Sequence, residues 1–116
     1  MSMRQIGTAS EYRFFAFILS QGWSLYIPAN PEDLADCVID RGQGLESVQI
    51  KSCRWAKDNH YRARLTSGTS RPYGPDSFNL LGIVGQEEGE IWLAPWSEFF
   101  GKAYFSGLEN DQWRVR

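Results

Sequence analysis

The spacing of apolar side chains changes period several times along the chain, and each change marks an element. From residue 8 to 21, Ala9, Tyr12, Phe15, Ala16 and Leu19 recur at helical spacing. Phe14, Phe17 and Ile18 widen the stripe, which predicts a largely buried helix. Thr8 or Ser10 is placed to cap its start, and Gln21-Gly22 ends it. Trp23 to Pro28 alternates as a strand, and Ala29 to Asp33 is a turn of Pro, Asn and Asp. Residues 34–40 and 46–53 both alternate and carry β-branched side chains. Arg41-Gly42-Gln43-Gly44 lies between them, so an antiparallel hairpin is expected.

Pairing residue 40 with 45 sets Asp36 opposite Gln49. Side chains alternate faces along a strand, so Asp36, Gln49 and Lys51 then share one face, while Cys37, Ile39, Val48 and Ile50 share the other. Opposed residues lie roughly 5 Å apart, near enough for two oxygen atoms to share one hard cation. Asp40 is on Asp36's face but nearer the turn, and is read as solvating the end of the hairpin. A half-exposed hairpin with an ordinary solvated face shows the same alternation.

Beyond the hairpin, the second strand has the character to run on through Trp55. A turn at Lys57-Asp58-Asn59 and a strand from His60 to Thr66 follow, with Arg62 and Arg64 on one face. Ser67 to Ser77 is a loop of Gly, Pro and Ser that contains Arg71 and Tyr73. Phe78 to Val84 reads as a strand buried on both faces, Gln86 to Gly89 as a turn, and Glu90 to Pro95 as an amphipathic strand. Trp96 to Phe100 is expected to make one helical turn capped by Ser97, and Lys102 to Arg116 leaves room for a short strand.

At 116 residues and 42% hydrophobic, the chain is expected to form one domain, residues 1–116, around a single core. The longest apolar stretch, Phe14 to Leu19, is too short to span a bilayer, and no charged-then-apolar leader is visible. A cytoplasmic protein without a membrane partner is expected. Cys37 and Cys53 fall on opposite faces by parity, which argues against a disulfide. They lack paired zinc spacing, and the sole histidine, His60, sits in a polar stretch.

Net charge is −2, yet it is unevenly distributed. Between Lys51 and Pro75, Lys51, Arg54, Lys57, Arg62, Arg64 and Arg71 stand against Asp58 alone. Between Asp76 and Asp111, Asp76, Glu87, Glu88, Glu90, Glu98, Glu109 and Asp111 stand against Lys102. A basic centre interleaved with Trp55, Tyr61 and Tyr73 suits phosphate neutralisation and packing on sugars or bases, as it also suits exposed strand faces.

Asp36 followed by Gln49-Ile50-Lys51 resembles the core of the PD-(D/E)XK nuclease superfamily. That signature is an acid on one strand, then an acid or amide, any residue and lysine on the next. Ala35 stands where the name implies proline, and Gln49 replaces the commoner acid. The combination is similar to small group I intron homing endonucleases and related archaeal and bacterial proteins. Their pattern is a short helix opening with glycine and glutamate, a strand, the acid and then "VQ-K". Here Gly7-Thr8-Ala9-Ser10-Glu11 matches the helix opening, and Tyr26-Ile27-Pro28 and Trp92-Leu93-Ala94-Pro95 match the family's strands, so the likeness spans about residues 7 to 100.

The resemblance implies an α/β (α+β) restriction-endonuclease-like core, a central mixed sheet flanked by helices with an initial α-β-β-β order. It also implies Glu11, Asp36, Gln49 and Lys51 as catalytic residues. Mg²⁺, with Mn²⁺ as a substitute, would be held by Asp36, the Gln49 oxygen, the Ile50 carbonyl and Glu11, although a first-turn glutamate is equally explained by the helix dipole. Arg54, Arg62, Arg64, Arg71 and Tyr73 are the candidate DNA contacts. Three functions remain open: a homing-like DNA endonuclease, a Holliday-junction-resolving nuclease, or a nuclease fold retained as a DNA-binding or interaction module. The expected partners are double-stranded or branched DNA and further copies of the chain, as a homodimer or homotetramer. One site cuts one strand, and Trp92, Trp96, Phe99, Phe100, Tyr104 and Phe105 are more aromatics than one small core obviously needs.

Overall fold

The computed structural model describes residues 1–55, 61–65, 73–87 and 89–116. Helix α1 (Met3–Ser20) precedes strands β1 (Ser24–Tyr26), β2 (Cys37–Asp40), β3 (Leu45–Trp55), β4 (Tyr61–Arg64), β5 (Leu80–Gly85) and β6 (Ile91–Pro95). A 3₁₀ turn η1 (Trp96–Glu98), β7 (Tyr104–Ser106), a second turn η2 (Asp111–Trp113) and β8 (Arg114–Val115) complete the chain. The main sheet runs β1-β2-β3-β5-β6-β8. It is mixed, because β3 and β5 are parallel while the other pairs are antiparallel.

The hairpin takes the register expected from the sequence, with Asp40 opposite Leu45 and Cys37 opposite Val48. Gly42 and Gly44 turn the chain with φ of 95° and 100°, a region that favours glycine. The Asp40 carboxylate accepts from the Gly42 amide at 2.8 Å, which makes Asp40 a turn residue. Arg41 closes the hairpin with a two-pronged bond to Glu46, both contacts at 3.0 Å.

β3 is long enough to serve two sheets. Residues 45–48 pair with β2 and residues 48–53 with β5, and its last two, Arg54 and Trp55, pair with β4, which in turn pairs with β7. Two cores follow from strand alternation. Phe14 and Ile18 of α1 pack with Cys37, Ile39, Val48 and Ile50 on one face. On the other, Cys53, Leu81, Ile83 and Trp92 pack beneath Ala63, Phe99 and Phe105. A Cβ on Gly82 would stand 2.7 Å from Phe14 Cε2, so glycine there lets the helix lie directly on the sheet.

Several expectations change. The helix starts at Met3 rather than at residue 8, and Ser2, not Thr8 or Ser10, is its cap. Ser2 accepts from the Gln5 amide, and the Gln5 side chain accepts from the Ser2 amide. Met3 and Ile6 stand at i, i+3 in this first turn, before the glycine at position 7 interrupts the apolar stripe. Nor is the helix largely buried: Ser10, Phe14 and Ile18 face the sheet, whereas Tyr12 and Leu19 are 68% and 59% exposed. A single layer lies under α1, so only the i, i+4, i+8 line is covered.

Residues Ile91–Leu93 of β6 are buried on both faces rather than amphipathic, because the β4–β7 layer and η1 cover the side away from α1. The turn after β6 begins at Pro95 with no side-chain cap, so Ser97 does not cap it. Trp92, Trp96, Phe99 and Phe105 belong to the core, leaving Phe100 and Tyr104 exposed. Among the described residues no helix is long and apolar enough to cross a membrane.

Candidate active site

Asp36 stands one residue before β2, at the end of a segment folded by its own polar side chains. The Glu32 amide donates to Asn30 Oδ1 at 3.0 Å, and the Ala35 amide donates to Asp33 Oδ1 at 2.9 Å. The Asp36 amide then donates to the Val48 carbonyl at 2.8 Å and joins the hairpin ladder. This places its carboxylate over β3. Asp36 Oδ2 accepts from the Ile50 amide at 2.8 Å and from the Gln49 side-chain nitrogen at 3.0 Å.

The Gln49 nitrogen also lies 3.4 Å from the Ile50 carbonyl oxygen. At 9% exposure Gln49 is a buried polar side chain whose amide group is held between two oxygens. Burial raises the Asp36 pKa, and Asp33 adds to the rise, while the Ile50 amide and the Lys51 ammonium pull it down.

Glu11 enters from α1. With the helix beginning at Met3, Glu11 sits in its third turn, beyond reach of the positive end of the helix dipole. Burial and the neighbouring Asp36 charge push its carboxyl pKa above the ordinary range. The adjacent Ser10, 3% exposed, is hydrogen-bonded to Ser52 of β3, which pins the helix to the strand beside Glu11 and Lys51. Lys51 extends its ammonium over the Tyr73 ring, 5.1 Å from the centroid.

A cleft of about 740 Å³ opens next to these groups. Its lining includes Glu11 of α1, Ile50, Lys51 and Arg54 of β3, and Arg62 and Arg64 of β4. Asp36 and Gln49 lie outside its lining, so the cleft adjoins the carboxylate site through Glu11 and Ile50. Arg54 and Arg62 are directly opposed across β3 and β4, and among the described residues no carboxylate pairs with Arg54, Arg62 or Arg64. Arg62 lies over the Tyr104 ring at 5.7 Å.

The site residues named from sequence therefore fall into two adjoining groups. Asp36, Gln49 and Ile50 touch, with Lys51 near enough to lower the Asp36 pKa and Glu11 near enough for the Asp36 charge to raise its own. Arg54, Arg62 and Arg64 all line the cleft. Tyr73 is half-buried against Phe78 and Trp96. Arg71, Lys57, Asp58 and His60 lie outside the described residues. Tyr104 was not singled out as a cleft residue by sequence. Its outward position follows from the pairing of β7 with β4, with Phe105 turned inward.

The sequence profile of the PD-(D/E)XK endonucleases matches residues 1–108. The chain belongs to this family. Among solved structures, this PD-(D/E)XK chain is similar to the bacterial homing endonuclease I-Ssp6803I, with a TM-score of 0.79 and 19% sequence identity. The match covers 91% of this chain and 78% of that one, and it establishes the shared fold. No curated protein matches the sequence.

A divalent cation is implied by the family, and the donors present suit one. Among the described residues no three His, Cys, Asp or Glu side chains converge to hold a metal. The oxygens here are instead two carboxylates, a backbone carbonyl and an amide. Rotating the Gln49 amide by half a turn would exchange its nitrogen for its oxygen and set that oxygen beside Asp36 Oδ2 and the Ile50 carbonyl, donors of the hard kind a divalent cation takes. The two thiols take no part. Burial, with Asp36 and Glu11 nearby, pushes Cys37 up to about 12, and burial also raises Cys53. They lie in separate cores on opposite faces of the sheet.

Proposed function

We propose that this PD-(D/E)XK protein is a Mg²⁺-dependent DNA endonuclease acting in the manner of the homing endonucleases, with Mn²⁺ as a substitute ion. The observation that carries this reading is the Gln49 amide nitrogen seated between Asp36 Oδ2 and the Ile50 carbonyl, beside a second carboxylate whose pKa is raised. A partly buried pair of acids without a cation is electrostatically costly, and a bound dication removes that cost.

Asp36, Glu11, the Gln49 oxygen and the Ile50 carbonyl are the proposed ligands. When bound, the ion neutralises phosphate charge and makes water a better nucleophile. Lys51 directs an N–H toward the attacking water and offsets charge gathering on the phosphate. The water oxygen adds to phosphorus, giving up a proton to solvent, as the bond to the departing 3′ oxygen breaks and that oxygen takes a proton from a second water. Arg54, Arg62 and Arg64 bind neighbouring phosphates and fix the strand in the cleft.

The test is nicking of supercoiled plasmid with Mg²⁺, Mn²⁺ or EDTA, by wild type and Lys51→Ala. Nicking in both ions, lost in EDTA and in Lys51→Ala, is the expected result. A protein inert on plasmid and on four-way junctions in either ion would overturn the reading, and cutting confined to junctions would favour a resolving nuclease.

We propose further that the chain acts as a homodimer or a dimer of dimers. One Asp36/Gln49/Lys51 set serves one strand, and a double-strand break requires two sets in fixed relation. Sedimentation equilibrium at micromolar concentration is expected to give an even-numbered assembly. A monomer that still makes concerted double-strand breaks would contradict it.

A further inference from the structure

We infer that Tyr73 is a positioning residue for Lys51: its ring is a fixed seat that holds the ammonium in place without neutralising it. This rests on the catalytic reading of Lys51 given above. The ammonium lies 5.1 Å from the Tyr73 ring centroid, inside the range at which a cation is attracted to a ring face. Among the described residues no carboxylate pairs with Lys51.

The ring is held from several directions. It meets Phe78 edge to face at 5.2 Å and Trp96 at 5.9 Å, and both of these are core residues. The next residue, Gly74, is also tied down, its amide donating to Ser77 Oγ at 2.7 Å and its carbonyl accepting from Trp96 Nε1 at 2.9 Å. Tyr73 is thus a rigid surface at the edge of the core.

A lysine side chain has four rotatable bonds, and an unpartnered one spends little time in any single geometry. A carboxylate partner would restrict it but would also cancel the charge that the phosphate needs. A ring face restricts it while leaving the full positive charge and N–H groups free to meet water or phosphate. That is the arrangement a strand-borne point charge requires.

The experiment combines NMR of lysine side chains with plasmid nicking kinetics. The chain has three lysines, Lys51, Lys57 and Lys102, and Lys51→Arg identifies the Lys51 signals. In wild type the Lys51 ε-methylene protons should be shifted upfield by the ring current. Lys102, whose ammonium lies 5.3 Å from the Phe99 centroid, reports independently that the fold is intact.

Tyr73→Leu should remove the Lys51 shift, keep that of Lys102 and lower kcat about tenfold with little change in KM. Tyr73→Phe should restore both the shift and the rate. An unchanged Lys51 shift in Tyr73→Leu would overturn the placement. A lost shift with wild-type kcat, or failure of Tyr73→Phe to rescue, would overturn the positioning role. If wild type does not nick DNA at all, the enzymatic reading and the positioning role fall together, while the NMR comparison still decides whether the ring seats the ammonium.

Discussion

The Gln49 side-chain amide donates to Asp36 Oδ2 at 3.0 Å while standing 3.4 Å from the Ile50 carbonyl oxygen. A neutral donor thus fills the place between two oxygens in which the proposed cation belongs. Gln49→Glu replaces that donor with a third carboxylate. The metal-free protein should lose about 1–3 kcal/mol of stability, because a buried hydrogen bond becomes a repulsion. Mg²⁺ should then stabilise the variant more than it stabilises wild type. Urea unfolding with and without Mg²⁺ checks this, and an identical response in the two proteins would count against Gln49 as a ligand.

Asp36→Asn keeps the shape of the side chain and an oxygen for the Ile50 amide, which now donates to Asp36 at 2.8 Å. The Gln49 amide can turn to accept from the new NH₂ group. Stability should therefore change by no more than about 1 kcal/mol. Divalent-cation-dependent cleavage should be lost. Thermal unfolding and plasmid nicking on the same preparation separate the two effects, and retained cleavage would sink the proposed mechanism.

These effects centre on a hairpin whose register the sequence determines locally. The alternation of residues 34–40 and 46–53, with two glycines between them, leaves one pairing that buries Cys37, Ile39, Val48 and Ile50 together, and the structure adopts it. The helix start was legible too, but in the capping pair Ser2 and Gln5 rather than in the apolar period. What the sequence did not reveal depends on contacts between distant segments. The exposure of Tyr12 depends on no described residue lying above α1, the burial of β6 on the β4–β7 layer, and the cleft position of Tyr104 on β7 finding β4. The seat of Lys51 on Tyr73 likewise joins a strand to a loop more than twenty residues away.

The raised pKa values of Glu11 and Asp36 fix the sign of a pH effect. A carboxyl with a folded pKa above its unfolded value binds protons more tightly when folded. Its ionisation therefore destabilises the metal-free fold, and stability rises as pH falls from above the folded pKa toward the unfolded value. Glu11→Gln removes one such group. At neutral pH the metal-free variant should be more stable than wild type, and the difference should shrink as pH falls through the Glu11 pKa. Thermal unfolding of both proteins in EDTA across this range is the measurement, and a gap that widens on acidification would contradict the assignment.

Gly82 sets the distance between α1 and the sheet. A Cβ there meets Phe14 Cε2 at 2.7 Å, Phe14 Cζ at 3.0 Å and Val48 Cγ1 at 3.1 Å. Gly82→Ala should cost about 1–3 kcal/mol through overpacking. Phe14→Leu should recover part of that cost in the double variant by making room for the methyl group. Urea unfolding of the two single variants and the double variant tests the coupling. Strict additivity would mean that the helix is not limited by this contact.

Arg54 and Arg62 face each other across β3 and β4, an arrangement that costs stability unless an anion lies between or beside them. Both line the cleft next to Lys51. Arg62→Thr should raise the stability of the free protein by about 0.5 kcal/mol, since it removes a like-charge pair and places a β-branched residue on a strand. The same change should weaken DNA binding at every sequence alike and reduce the slope of log affinity against log salt by about 1. Opposite signs for folding and for binding are what an anion-binding strand pair requires, whereas a structural arginine would lose stability and leave the salt slope where it was. Denaturant unfolding of the free protein, together with fluorescence anisotropy on a labelled duplex at several salt concentrations in Ca²⁺, measures both.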